Sequence, residues 1–243
     1  MNNKIGKADL EALKKKYVGE ALNNALKQIN NGYPIQYLIG DVEFCGNKII
    51  VNENVLIPRY ETEYLVDLIS KSIPHDFSGK ILDIATGSGC IAISIAKIFS
   101  KASIDAFDIS EKAIEVAIKN VSINNVNNLN LFTKDVFSFN NINDYDVVIS
   151  NPPYVSYDET VDEETKYEPQ NAIFADDNGL VFYKHIINSI SEDTNVKDIF
   201  FEIGMNQAEA INKIAISKFN DCKVEIIKDL NQRDRFIHIK LNK

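Results

Sequence analysis

From Lys80 onward, short apolar runs alternate with helical patterns, and this alternation limits the fold more than any other feature of the chain. Ile81 to Ile84, Ser103 to Phe107 and Asp146 to Ser150 read as strands, with Cys90 to Phe99 and Glu111 to Asn124 as helices between them. Strands joined through helical crossovers pair in parallel, and the helices then cover both faces of the sheet. The pattern continues with a helix around Gly179 to Ser191, a strand Ile199 to Glu202, a helix Gln207 to Phe219 and two final strands, Lys223 to Ile227 and Arg235 to Leu241. Asp229 to Arg233 is too short for a helical crossover, so the last two strands should pair antiparallel. The expected architecture is α/β, a mostly parallel sheet with one reversed strand near its edge.

The front of the chain is different. Lys7 to Asn30 spaces Leu10, Leu13, Tyr17, Ala21, Leu22, Ala25 and Ile29 at helical intervals, which predicts one amphipathic helix or two short ones meeting near Gly19. Glu43-Phe44 and Ile49 to Val51 flank Cys45 to Lys48 as a small hairpin, and Glu61 to Ser72 reads as a helix with Tyr64, Leu65, Leu68 and Ile69 inward. Three segments are expected: 1–32, 33–75 and 76–243. The asparagine-rich stretch Asn120 to Asn130 reads as compositional.

With 243 residues and 45% hydrophobic composition, the chain can bury one substantial core and a small accessory element. Its 26 Lys and Arg against 35 Asp and Glu leave a net charge of -9, which argues against an extended basic surface for duplex DNA. The three Cys and three His lack ligand spacing, so no metal site is expected. No apolar stretch reaches the roughly 20 residues that span a bilayer, and Met1 to Leu10 lacks a signal's apolar region. A reducing, cytoplasmic monomer without membrane association or stable nucleic-acid binding is expected.

The strand Ile81 to Ile84 runs into Ala85-Thr86-Gly87-Ser88-Gly89 and then a helix. Glycines let a backbone approach a ligand closely, and a new helix leaves N–H groups free at the turn. A structural turn shares this pattern. The next strand ends at Asp108-Ile109, where a carboxylate can accept both ribose hydroxyls of a nucleoside, or else cap the following helix, a task Ser110 could equally perform. Asp83 could contact an amino-acid portion of a cofactor through its amine. Asp135, followed by Val136 after another short strand, could accept from an adenine amino group or sit in a solvated turn.

The apolar run Val147 to Ser150 ends in Asn151-Pro152-Pro153-Tyr154. Asn151 can present its side-chain oxygen, and Pro152, which has no N–H, still presents its carbonyl. Two such acceptors can hold both hydrogens of a planar NH2 whose lone pair is delocalised. Pro153 restricts the residue before it and so stiffens the Pro152 carbonyl. Tyr154 can lay its ring on a flat amide or base, and the alternative is a rigid proline turn with Tyr154 as packing. Downstream, the largely polar stretch from Val155 to Ala172 suggests a substrate-facing loop, with Glu168 orienting donors of a peptide or lying at the surface.

Beyond these residues, the chain resembles the release factor glutamine methyltransferases, the PrmC or HemK family. The resemblance rests on Gln36 to Gly40, Val55 to Val66, Ile81 to Ala96, Phe107 to Ser110, Val147 to Val155, Tyr167 to Tyr183, Phe201 to Gln207 and Asp229 to Phe236. The tetrad Asn151 to Tyr154 also suits amino methylases of adenine and guanine. The run Ile57 to Glu63 before the sheet and Glu168 to Gly179 after the catalytic loop make the match much more specific.

The resemblance implies a class I, Rossmann-like methyltransferase with seven strands, one of them antiparallel, and S-adenosylmethionine as methyl donor. The acceptor it implies is the side-chain amide of the glutamine in the Gly-Gly-Gln motif of class 1 peptide release factors. Catalytic residues would be Asn151, Pro152 and Tyr154. Asp83, Ala85, Thr86, Gly87, Gly89, Asp108, Ile109, Asp135, Val136 and Asn151 would bind the donor. Pro58, Arg59, Glu61, Thr62, Pro153, Tyr154, Glu168 and Pro169 would face the substrate.

Two departures stand out. Ala85 occupies the position of the family's usual first glycine, which costs on the order of 1 kcal/mol if that position needs positive φ and little if it needs only small size. The roughly thirty residues before Tyr33 leave room for only a fragment of the helical domain that family members commonly use to grip the release factor. A nucleic-acid amino methyltransferase and a non-catalytic cofactor-binding module are the competing readings.

Overall fold

The computed structural model describes residues 5–242. Its front end holds helices α1 (Lys7–Lys16), α2 (Gly19–Asn30) and α3 (Ile35–Ile39), with Gly19 at φ 57 allowing the chain to turn between the first two. Leu13, Ala25, Ile29 and Leu38 form their small shared core. Strands β1 (Asp41–Phe44) and β2 (Asn47–Ile50) make the hairpin, and helix α4 (Tyr60–Ser72) follows. The hairpin turn is tighter than expected. Phe44 pairs with Asn47, so only Cys45 and Gly46 form the loop, both at positive φ as a type I′ turn requires.

The remaining elements are β3 (Lys80–Ile84), α5 (Cys90–Ile98), β4 (Ser103–Asp108), α6 (Glu111–Ile123), β5 (Leu129–Thr133) and β6 (Val147–Ser150), then the short turn α7 (Asp176–Gly179), α8 (Val181–Ser189), β7 (Asp198–Glu202), α9 (Ala208–Lys218), β8 (Cys222–Lys228) and β9 (Asp234–Leu241). The seven-stranded sheet runs β5-β4-β3-β6-β7-β9-β8. All pairings are parallel except those of β9, which runs against both β7 and β8. This is the Rossmann-like arrangement expected from the sequence.

Alternate residues of each central strand enter opposite cores, as the two-residue period of a strand demands. Ile81, Val147, Ile149 and Phe200 pack with α4, α5, α6 and the hairpin on one face. Leu82, Val148, Ile199 and Phe201 pack with α8 and α9 on the other.

The asparagines between 120 and 130 do more than fill a loop. Asn120 is fully buried and its amide joins the Ile50 N–H and carbonyl of the hairpin to the Ser88 carbonyl of the glycine turn. Asn128 donates to the carbonyls of Ala96, Phe99 and Ala102. Among the described residues, no helix is long and apolar enough to cross a membrane.

Candidate active site

Chain order reverses between β3 and β6, and a crevice opens beyond the carboxyl ends of strands at such a point. Register pairs Ile84 with Ser150, and the Ser150 hydroxyl donates to the Ile84 carbonyl at 2.8 Å. The two turns that follow, Ala85 to Gly89 and Asn151 to Tyr154, therefore leave the sheet side by side. A cavity of about 360 Å³ lies over them.

In the first turn Ala85 sits at φ 59 and Gly87 at φ 54, so the position usually held by glycine does demand the left-handed region. A Cβ on Gly87 would meet nothing within 4 Å, which leaves its backbone open to the cavity. Gly89 has another task. It caps α5 at φ 80 and packs against Ala117, and it does not line the cavity.

Asp108 accepts from the Gly87 N–H and the Ser110 N–H, each at 2.9 Å, one on each oxygen. Ser110 caps α6 by accepting from the Ala113 N–H, so Asp108 is spared that role and faces the cavity. Each carboxylate oxygen retains acceptor capacity. Asp83 borders neither cavity: it lies behind the turn, 1% exposed, with Oδ2 accepting from the Thr86 hydroxyl at 2.6 Å and Oδ1 buried without a partner. Burial pushes its carboxyl up to about 7, an effect the Thr86 hydrogen bond only partly offsets.

Ile109, Asp135 and Val136 border the same cavity. Asp135 accepts from the Phe137 N–H at 3.0 Å with one oxygen. Phe137 and Phe182, with ring centroids 5.4 Å apart, supply an apolar wall that sequence reasoning missed. Phe182 comes from α8, and nothing in its local pattern separates a cavity-facing ring from a core ring.

The second turn divides two spaces. A smaller cavity of about 270 Å³ is bordered by Pro152, Tyr154 and Glu202, and Asn151 and Arg59 line both. Asn151 Nδ2 donates to the Thr62 hydroxyl at 3.4 Å, while its Oδ1 is buried and unpartnered. The Tyr154 hydroxyl donates to Glu202 Oε1 and accepts from Arg235 Nη1, both at 3.4 Å. Burial raises the pKa of Glu202, which is 2% exposed and was missed in the sequence reading because its strand gives no sign of a functional carboxyl.

The expected substrate-facing residues separate into groups. Pro58, Arg59, Thr62, Pro153 and Pro169 border the larger cavity. Glu61 borders neither cavity. Glu168 is neither at the surface nor free for a peptide: it is 4% exposed, and its oxygens are taken by the Ile57 N–H at 3.0 Å and the Arg59 guanidinium. A buried carboxylate must be paired, and this pairing fastens the two segments that form the mouth.

Three comparisons with known proteins bear on the family. Residues 61–168 match the family model described as methyltransferase small domain. The chain is 41% identical over 224 residues to the release factor glutamine methyltransferase of Lactococcus lactis subsp. lactis, covering 90% of this chain and 82% of that one. It is 40% identical over 226 residues to the protein of the same name from Bacteroides thetaiotaomicron, covering 89% and 79%. The chain belongs to the release factor glutamine methyltransferases. Membership in that family fits the pairing of a glycine turn with an Asn-Pro-Pro-Tyr turn across β3 and β6. A solved methyltransferase from Pyrococcus furiosus, 17% identical, shares the fold with a TM-score of 0.60 over 91% of this chain and 99% of that one.

Proposed function

We propose that this chain transfers the methyl group of S-adenosylmethionine to the side-chain amide nitrogen of the glutamine in the Gly-Gly-Gln motif of class 1 peptide release factors. The observation that carries the reading is the position of Asn151, whose buried, unpartnered oxygen stands where the two cavities meet. A buried oxygen without a protein donor calls for a hydrogen-bond donor, and an NH2 group supplies one.

The larger cavity suits the methyl donor. Asp83 keeps an orphaned buried oxygen behind the glycine turn that can answer an ammonium group. Asp108 offers acceptors for the ribose hydroxyls, and Asp135, Val136, Phe137 and Phe182 suit an adenine ring with an amino edge. When bound, the sulfonium supplies an electrophilic methyl. Ala85, Thr86, Gly87 and Ile109 shape the rest of that wall.

The smaller cavity suits the acceptor. Asn151 Oδ1 and the Pro152 carbonyl each take one N–H of the glutamine amide and draw electron density onto its nitrogen. As the N–C bond formed, the S–CH3 bond would break to leave a neutral thioether, and one of those hydrogens would leave as a proton to solvent. The contribution of the two acceptors is orientation together with fixed dipoles that favour the charge-shifted transition state. Tyr154 flanks the amide, while Arg59, held by Glu168, stands between the two spaces. A release factor substrate supports an activity in the cytoplasm, where translation ends.

Labelled S-adenosylmethionine offered with a purified class 1 release factor, a variant of it with Gly-Gly-Ala, tRNA, rRNA and DNA tests this function. Label on the factor and none on the Gly-Gly-Ala variant is expected. Label on nucleic acid alone would make the chain a base amino methyltransferase, and cofactor binding without any transfer would make it a binding module.

A further inference from the structure

Thr62 lies in the first turn of α4, 2% exposed, far in sequence from both of its partners. Its hydroxyl donates to Glu202 Oε2 at 2.7 Å and accepts from Asn151 Nδ2 at 3.4 Å. A hydroxyl has one hydrogen. Once that hydrogen is committed to the carboxyl group, only lone pairs face Asn151. The NH2 end of the Asn151 amide must then turn towards Thr62, because the opposite orientation would set an oxygen against those lone pairs. Oδ1 is left pointing away from Thr62, where it is buried and unpartnered.

The second oxygen of the same carboxyl group accepts from the Tyr154 hydroxyl. One buried group at the end of β7 therefore reaches both side chains of the acceptor turn, Asn151 through Thr62 and Tyr154 directly. Burying a carboxyl group is expensive, and an apolar residue would fill the same space at lower cost.

We propose that Glu202 is a positioning residue which, through Thr62, fixes the polarity of the Asn151 amide so that its oxygen faces the NH2 to be methylated. The inference deepens the function proposed above and rests on it. Its consequence is that the Asn151 side chain could not be read by the wrong end. An inverted amide would present two hydrogens to the substrate's own hydrogens and bind no NH2.

Steady-state kinetics on a class 1 release factor, with cofactor titration and unfolding midpoints alongside, tests the proposal in Thr62→Val, Thr62→Ser and Glu202→Gln. Thr62→Val removes the lone pairs that select the orientation and should lower kcat about 10-fold or more, while the cofactor Kd stays within about twofold. Thr62→Ser restores the hydroxyl and should return kcat to within about threefold of wild type. Glu202→Gln can donate to Thr62 and so reverse the hydroxyl, which should reproduce the Thr62→Val defect. In Thr62→Val/Glu202→Gln the two losses should not add, because both act through one hydroxyl.

A purely structural tie between α4 and β7 would lower unfolding midpoints and spare kcat. Wild-type kcat in a folded Thr62→Val protein overturns the proposal, as does failure of Thr62→Ser to rescue. If Glu202→Gln does not fold, the two Thr62 variants decide the matter. Wild-type protein that leaves the release factor unmethylated overturns the underlying function instead.

Discussion

The side-chain amide of Gln207 donates to the Tyr154 carbonyl at 2.8 Å. The same nitrogen reaches the Asn178 carbonyl at 3.1 Å, and its oxygen accepts from the Gly204 N–H at 2.9 Å. Asp177, Asn178 and Gly179 are all at positive φ, and a Cβ on Gly179 would collide with the Tyr154 carbonyl and the Gln207 amide. The acceptor turn is thus backed by a left-handed turn and clamped by one glutamine.

Gln207→Ala would strip these buried carbonyls of their donor at a cost of about 1–3 kcal/mol, and a looser Tyr154 should cut kcat several-fold with little change in cofactor Kd. Gly179→Ala should be worse, since the clash is with backbone and the φ is unfavourable. Urea unfolding measures both. Equal stability of Gly179→Ala and wild type would show that the close approach is not obligatory.

Asn151 and Asp108 should fail in different ways. Asn151→Ala is expected to leave cofactor Kd nearly unchanged and lower kcat by roughly 100-fold, as for an interaction concentrated in the transition state. Asp108→Ala should mainly weaken cofactor binding. Calorimetry with kinetics at saturating cofactor separates the two patterns, and equal loss of affinity and turnover in Asn151→Ala would reassign that residue.

The carboxyl of Asp83 should link cofactor binding to pH. Burial lifts its pKa from 3.8 to about 7, so across that window the native protein holds a proton that the unfolded chain has released. Raising the pH through the window therefore destabilises the cofactor-free fold, because the unfolded state binds fewer protons. Asp83→Asn removes this dependence and should unfold at a higher temperature than wild type above pH 7. The same variant should bind the cofactor far more weakly, since only an ionised carboxylate pairs with an ammonium group. Wild-type affinity should rise with pH over the same range. A flat affinity profile would remove Asp83 from the donor site.

At Ala85 the backbone is left-handed, a conformation that costs a residue with a Cβ on the order of 1–2 kcal/mol. Glycine relieves that cost but adds about 0.4–1 kcal/mol of unfolded-state entropy. Ala85→Gly should then be neutral to stabilising by up to about 1.6 kcal/mol, the difference between those two terms. Chemical denaturation checks this, and a clear loss of stability would mean that the alanine methyl makes contacts outweighing its strain.

The strands, the glycine turn and the Asn-Pro-Pro-Tyr turn were legible because each is written in consecutive residues with a period or a motif. What escaped was pairing across distance. Thr62 and Glu202 meet over 140 positions and Glu168 reaches Ile57 over 111, so neither partner carries a local sign of the other. Glu168 looked exposed because its surrounding sequence is polar, yet one arginine and one backbone N–H suffice to bury it. Asn120 was hidden by repetition. A fully buried asparagine amid exposed ones has the same letter, and only the carbonyls around it distinguish them.

Because Ile84 and Ser150 are register partners, the glycine turn and the Asn-Pro-Pro-Tyr turn start from adjacent rungs of the central sheet. The mouth, in contrast, is assembled from the segments around Arg59 and Glu168, which lie outside that ladder. The rim and the sheet therefore meet at one short stretch of chain, since Arg59 is fastened to Glu168 while Thr62, three residues on, touches Asn151, so a change at the entrance is felt within a few residues of the methylated nitrogen's place.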